Sequence, residues 1–296
     1  MRTRASARQG FTLVELLISL IVAAVVGAAL LRMMVGQARF MDQQEASRSA
    51  RSVSRSGINR LVSDLRAVEA TGGLVAAAVG GQDFTVRVPY AFGVVCSYGI
   101  PAAGVTTVSL LPVDSAMYNA AGFSGFAWRN AAGVYSYPAP VPVIVSPGTA
   151  ANCQNAGPDS IHTLPAAGGA PAGRVVNLTN VALLPAPPRG SLMFLYRRVR
   201  YEFKASAAVP GQLGLWRTTV TGAATEELAA PFDATARVNF YVLNNATAQA
   251  AVPAPLTNTR GLELVLNGLS ERAPSGTTVA KSAPVTTSVF FENRPD

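Results

Sequence analysis

The chain of 296 residues has one histidine, two cysteines and two lysines, and charged residues make up only 14% of it. Each shortage excludes something. His162 would have to serve any imidazole-based triad, and no Gly-x-Ser-x-Gly elbow accompanies it; GFSG at 122–125 has the wrong spacing. Cys96 and Cys153 have no histidine beside them and do not make a four-ligand zinc site. The carboxylates are sparse: Asp159, Asp233 and Glu263 are too scattered to suggest a calcium site, and Glu226-Glu227 reads as a solvated turn. P-loop, GxGxxG, HExxH and EF-hand patterns are all missing. The expectation is a chain that is not an enzyme and needs neither cofactor nor metal.

Proline is missing from Met1 to Val88, so nothing in that stretch forbids a long helix. Phe11 to Leu31 is almost entirely apolar, with Glu15 its only charge before Arg32. As a helix, its 21 residues reach about 31 Å, the thickness of a bilayer's hydrocarbon core. Arg2, Arg4 and Arg8 precede the run with no acid among them, which favours a cytoplasmic N-terminus. The run is too long for a secretory signal, and no small-residue cleavage site follows it, so it reads as a retained anchor. Glu15 is the anomaly. A carboxylate at the centre of a membrane helix costs about 2.5–3.5 kcal/mol on insertion scales, and less near an end. It is either tolerated at the interface or waiting for a cation.

Gly10-Phe11-Thr12-Leu13-Val14-Glu15-Leu16-Leu17 resembles the processing site of type IV prepilins and type II secretion pseudopilins. The resemblance implies a leader, residues 1–10, carrying the basic Arg2, Arg4 and Arg8. It implies prepilin peptidase cleavage after Gly10, N-methylation of Phe11, and retention of 11–34 as a transmembrane helix. It also implies that Glu15 of an incoming subunit pairs with the Phe11 amine of a neighbour. Burial of the carboxylate would then act as a register signal, since only one axial offset neutralises it.

Beyond Arg32 the pattern becomes amphipathic: Val53, Ile58, Leu61, Val62, Leu65 and Val68 recur every three or four residues, and Gly72-Gly73 signals a stop. The spacing predicts one helix from about Thr12 to Ala70, its continuation lying within 35–72. Gly27, Gly36 and Gly57 allow either bends or close packing. Arg48, Arg51 and Arg55 share a helical face, which suits subunit contacts, DNA contacts or plain solvation; no aromatic residues interleave with them. Net charge is +8, which by itself does not choose a partner.

Residues 73–296 read as a β-rich head. DFTVRV, GVVCSY and VTTVSLL are short β-branched runs. Residues 112–190 hold 11 of the 20 prolines and 9 of the 26 glycines, which predicts a loop-rich region with few strands. If the head is exported, Cys96 and Cys153 can form a disulfide; otherwise they are two buried thiols. In LYRRVRYEFK, Leu195, Val199, Tyr201 and Phe203 share a face interrupted by Arg197, and QLGLWRTTV completes a hairpin. Val238, Phe240 and Val242 alternate, as do Leu262, Leu264 and Leu266, then Thr287, Val289 and Phe291. Alternation implies an antiparallel sheet with one covered face, and the amphipathic helix half is the natural cover. The fold class is therefore α+β and pilin-like. Strand order and spacing resemble PilW-like minor pilins and J-type minor pseudopilins.

The resulting expectation is a structural subunit in the inner membrane, N-terminus cytoplasmic and head periplasmic or extracellular. It would be assembled into a type IV pilus or a type II secretion pseudopilus as part of an initiating or tip complex. Its partners would be prepilin peptidase, other pilins or pseudopilins, the inner-membrane assembly platform and membrane lipid. Two alternatives stand beside it: an unprocessed single-pass anchor presenting a binding or hydrolytic domain, and a DNA-uptake pilus component.

Overall fold

The computed structural model describes residues 12–99, 103–111, 114, 122–137, 144–149, 153, 174–179 and 187–291. Helix α1 runs unbroken through Leu13–Leu65. At 1.5 Å per residue its 53 residues extend about 80 Å. Thr12 caps it in extended backbone geometry, its Oγ1 accepting a hydrogen bond from the Glu15 N–H at 3.3 Å. The helix crosses Gly27 and Gly36 without interruption, and nothing packs against either. It ends five residues before the expected Ala70. There the Ala67 and Val68 N–H groups bond three residues back, to Asp64 and Leu65, rather than four, and the chain enters turns. Gly73 finishes the reversal, because a Cβ there would lie 2.1 Å from the Glu69 carbonyl oxygen.

Thirteen strands follow among the described residues, all in one antiparallel sheet. They are β1 (Leu74–Ala77), β2 (Asp83–Tyr98), β3 (Thr106–Leu110), β4 (Gly125–Arg129), β5 (Tyr135–Ser136), β6 (Ile144–Pro147) and β7 (Val175–Thr179). Then come β8 (Leu192–Ala205), β9 (Leu213–Thr219), β10 (Thr225–Phe232), β11 (Arg237–Val242), β12 (Thr259–Leu269) and β13 (Ser282–Phe290). The order is β11-β12-β10-β9-β8-β2-β3-β7-β6, with β13 on the other edge of β12 and β4 beside the first half of β8. DFTVRV and GVVCSY, expected as two strands, are one strand of 16 residues. A bulge at Pro89 absorbs the residue that cannot donate to the ladder. Glu226 and Glu227, expected in a turn, lie on β10. Glu226 accepts from Arg217 at 3.2 Å, and Glu227 accepts from the Ala207 and Ala208 N–H groups.

The sheet curls. The tip between β1 and β2 reaches β11, where the Val238 N–H donates to the Gly81 carbonyl at 2.8 Å. A Cβ on Gly81, whose φ is +68°, would lie 2.0 Å from the Val238 oxygen, so only glycine closes this seam. Inside the curl lies the main core: Leu61, Leu65 and Val68 of the helical segment against Phe84, Val86, Val199, Tyr201, Phe232, Phe240 and the alternating Leu262, Leu264 and Leu266. A second core at the distal end gathers Val95, Val108, Phe126, Trp128, Val176 and Leu195. Arg197, the interruption on β8, stacks its guanidinium over the Tyr90 ring at 4.4 Å. Cys96 and Cys153 are joined in a disulfide, buried beside Val175.

Candidate assembly site

The first three-fifths of α1 is unlike the rest of the molecule. From Leu13 to Glu45 no side chain of the helix is buried, and its most apolar window has a mean hydropathy of 2.6. Leu13, Leu16, Leu17, Ile21, Val25 and Leu30 are all exposed. The segment is long and apolar enough to cross a membrane. Gly10, Phe11, Arg2, Arg4 and Arg8 lie outside the described residues, so the geometry of the processing site is not among those the structure places.

Glu15 stands at the start of this span, exposed, in the first turn. Its backbone N–H is taken by Thr12, and its carbonyl accepts from the Ser19 hydroxyl at 2.8 Å. The carboxylate itself makes no hydrogen bond or ion pair to a described residue. Thr12-x-x-Glu15 has the spacing of a capping box, and a carboxylate in the first turn sits favourably against the helix dipole. That local role explains a carboxylate near the helix start without removing its need for a cation in lipid.

The other half of the helix docks on the head through small residues. Ala46, Ala50, Ser54, Gly57, Leu61 and Leu65 form the buried stripe. The Ser54 hydroxyl spans the strand pair Gly268–Ala283, accepting from the Gly268 N–H and donating to the Ala283 carbonyl, each at 2.9 Å. Gly57 faces Phe232 and Leu266, where a Cβ would come within 3.0 and 3.2 Å, so its role is close packing rather than a bend. Further along, Asp64 accepts from the Tyr201 hydroxyl and, at 3.1 Å, from Arg217. Burial and the Asp64 charge push the Tyr201 phenol well above its ordinary range, with Arg217 opposing. At the membrane-proximal end Asp42 accepts from the Ser275 N–H and hydroxyl, which hold its carboxyl below the usual range. The loop between β12 and β13 is thus pinned to the helix, beside an open groove of about 470 Å³ lined by Glu45, Ser49 and Arg272. Sequence periodicity found Leu61 and Leu65 but missed Ala46, Ala50 and Ser54. Only their small size marks them, and small residues also occur on exposed faces.

Arg48, Arg51 and Arg55 are exposed, with no side-chain hydrogen bond or ion pair to a described residue. Asn177 on β7 is buried and accepts from the Thr107 hydroxyl. Among the described residues no group of three or more His, Cys, Asp or Glu is placed to hold a metal; His162 and Asp159 lie outside them.

The chain thus joins a helix long and apolar enough to cross a membrane to an antiparallel head. The prokaryotic N-terminal methylation motif matches residues 5–31, spanning Gly10, Phe11 and Glu15. Motif and fold together support a type IV pilin-like protein, processed by prepilin peptidase and anchored by its apolar helix. No curated protein and no solved structure matches the chain.

Proposed function

We propose that this chain is a non-enzymatic minor pilin or pseudopilin. It is made as a prepilin, cut after Gly10, methylated on Phe11 and held in the inner membrane with its head outside. From there it is assembled into a type IV pilus or a type II secretion pseudopilus. The observation that carries the reading is the run from Leu13 to Glu45, which has no buried side chain and bears an unneutralised Glu15 at its start. Cleavage after Gly10 supplies the missing cation as the Phe11 amine. In lipid a carboxylate–ammonium pair costs far less than either ion alone, so the correct axial offset between neighbouring subunits is selected. The size and loop-rich character of the head support a place in an initiating or tip complex rather than in a repeating shaft.

Mass spectrometry of the purified N-terminus tests the proposal. The expected product begins at N-methylated Phe11. An intact Met1 in cells with active prepilin peptidase would overturn it in favour of an unprocessed anchor carrying a binding domain.

A further inference from the structure

The solvent face of α1 carries a pattern that the head does not explain. From Ala46 to Ser63 the helix has four arginines (Arg48, Arg51, Arg55 and Arg60) and no acid. At 3.6 residues per turn, Arg48, Arg55 and Arg66 fall within about 20° of one another, with Arg51 about 60° to one side. Ser52 and Asn59 lie on the same face. Arg48, Arg55 and Arg66 lie opposite the buried stripe Ala46, Ala50, Ser54, Gly57, Leu61 and Leu65, and Arg51 stands at its flank. All four of Arg48, Arg51, Arg55 and Arg66 are exposed, with no side-chain hydrogen bond or ion pair to a described residue. The two flanking acids do not serve them. Glu45 turns toward the groove beside the loop between β12 and β13, and Asp64 is occupied by Tyr201 and Arg217.

Toward the N-terminus the same azimuth carries apolar side chains, interrupted by Gln37 and Gln44. Leu30, Met34 and Met41 follow it, each more than half exposed, and Met34 and Met41 lie beyond Arg32 where the apolar run ends. The face therefore passes from apolar to cationic across the uncharged Gln37 and Gln44. Duplex DNA does not account for the apolar part, and lipid does not account for residues above Arg32. A second protein helix accounts for both. Two copies of this chain brought together through the face would set arginine against arginine, with no acid to interleave.

We infer that this face docks a helix of a different subunit, not a second copy. The partner helix presents Asp or Glu at spacings of three to four residues opposite Arg48, Arg51 and Arg55, and an apolar stripe opposite Met34 and Met41. Exposed cations then act as a partner filter: they disfavour self-pairing and reward one heterologous neighbour. The inference rests on the filament-subunit reading above and adds the chemistry of the neighbour.

The test places a photoreactive benzophenone amino acid at position 52 of the full-length chain in its native membranes, with N-terminal mass read on the same sample. The expected adduct is with a different protein, and the captured peptide is a helix with acids at three-to-four-residue spacing. Adduct yield should fall at least tenfold in the Arg48→Glu, Arg51→Glu, Arg55→Glu variant. It should return when the partner's acids are changed to lysine. An adduct with a second copy of this chain, no adduct at all, or a yield indifferent to charge reversal would each overturn the inference while leaving a processed Phe11 terminus intact. So would retention of duplex DNA by the detergent-solubilised chain in place of the protein adduct, lost in the triple variant. An unprocessed Met1 would overturn both readings together.

Discussion

Ser54→Ala removes a single oxygen, and the structure assigns it a large effect. The hydroxyl is fully buried between α1, β12 and β13, accepting from the Gly268 N–H and donating to the Ala283 carbonyl. Alanine leaves both backbone groups facing a methyl. A buried polar group stripped of its partner costs about 1–3 kcal/mol. The backbones can relax toward each other across their own strand pair and recover part of that, so the net loss is about 2–4 kcal/mol. For a domain of this size each kcal/mol moves the melting temperature by about 2–4 °C, giving a fall of about 4–16 °C. The assay is thermal unfolding of the detergent-solubilised chain followed by far-ultraviolet circular dichroism, with the exposed Ser52→Ala as control within about 0.5 kcal/mol of the parent. Gly268→Ala approaches the same joint from the sheet side. Its Cβ would lie 2.4 Å from the Ala50 carbonyl oxygen, a backbone atom that cannot swing away, so the helix must lift. If Ser54→Ala melts with Ser52→Ala, the hydroxyl does not hold the helix to the sheet and the docking argument fails.

Glu15→Ala should insert and be cut after Gly10 as the parent is, yet be depleted in isolated filaments; normal incorporation would remove the charge-pairing argument. Reducing Cys96–Cys153 opens a loop of 57 residues and should cost about 4 kcal/mol, read as a shift in the urea midpoint with dithiothreitol. An unchanged midpoint would show that the bridge does not constrain the unfolded head. The raised phenol of Tyr201 has a definite sign. The folded state keeps a proton that the unfolded chain releases above its ordinary value near 10. Stability is therefore unaffected by this group below about pH 10 and falls above it, by about 1.4 kcal/mol per pH unit. Tyr201→Phe should flatten that alkaline slope, and a slope unchanged by the substitution would refute the assignment.

Much of the site was readable one residue at a time. Gly10, Phe11 and Glu15 stand out because a charge in an apolar run violates the run's own logic, and a violation needs no partner to be noticed. The helix, too, is local information: no proline for 88 residues and a 3–4 periodicity ending near Gly72-Gly73. Its end shifted to Leu65 because the final turn tightened, a choice among nearly equal local hydrogen bonds that composition does not resolve. The alternating leucines of β12 declared their covered face, since a period of two leaves no other reading.

What pairs with what was different. Nothing in DFTVRVPYAFGVVCSY says that Pro89 sits in a bulge of one long strand, because a proline ends a strand or bends it according to its neighbours. Glu226 and Glu227 looked solvated until β9 placed Arg217 beside the first and the turn after β8 aimed two N–H groups at the second. Ser54 is one serine of many on its helix, singled out only by Gly268 and Ala283, more than 200 residues away. The sequence by itself determined that there is a helix apolar enough to cross a membrane, with one charge inside the apolar run, and a sheet with a covered face, because both follow from short-range pattern. The tertiary structure alone decided that the buried face runs back through Ala46, Ala50 and Ser54, because that depends on small side-chain volumes meeting across distant segments, and so it left Arg48, Arg51 and Arg55 facing outward.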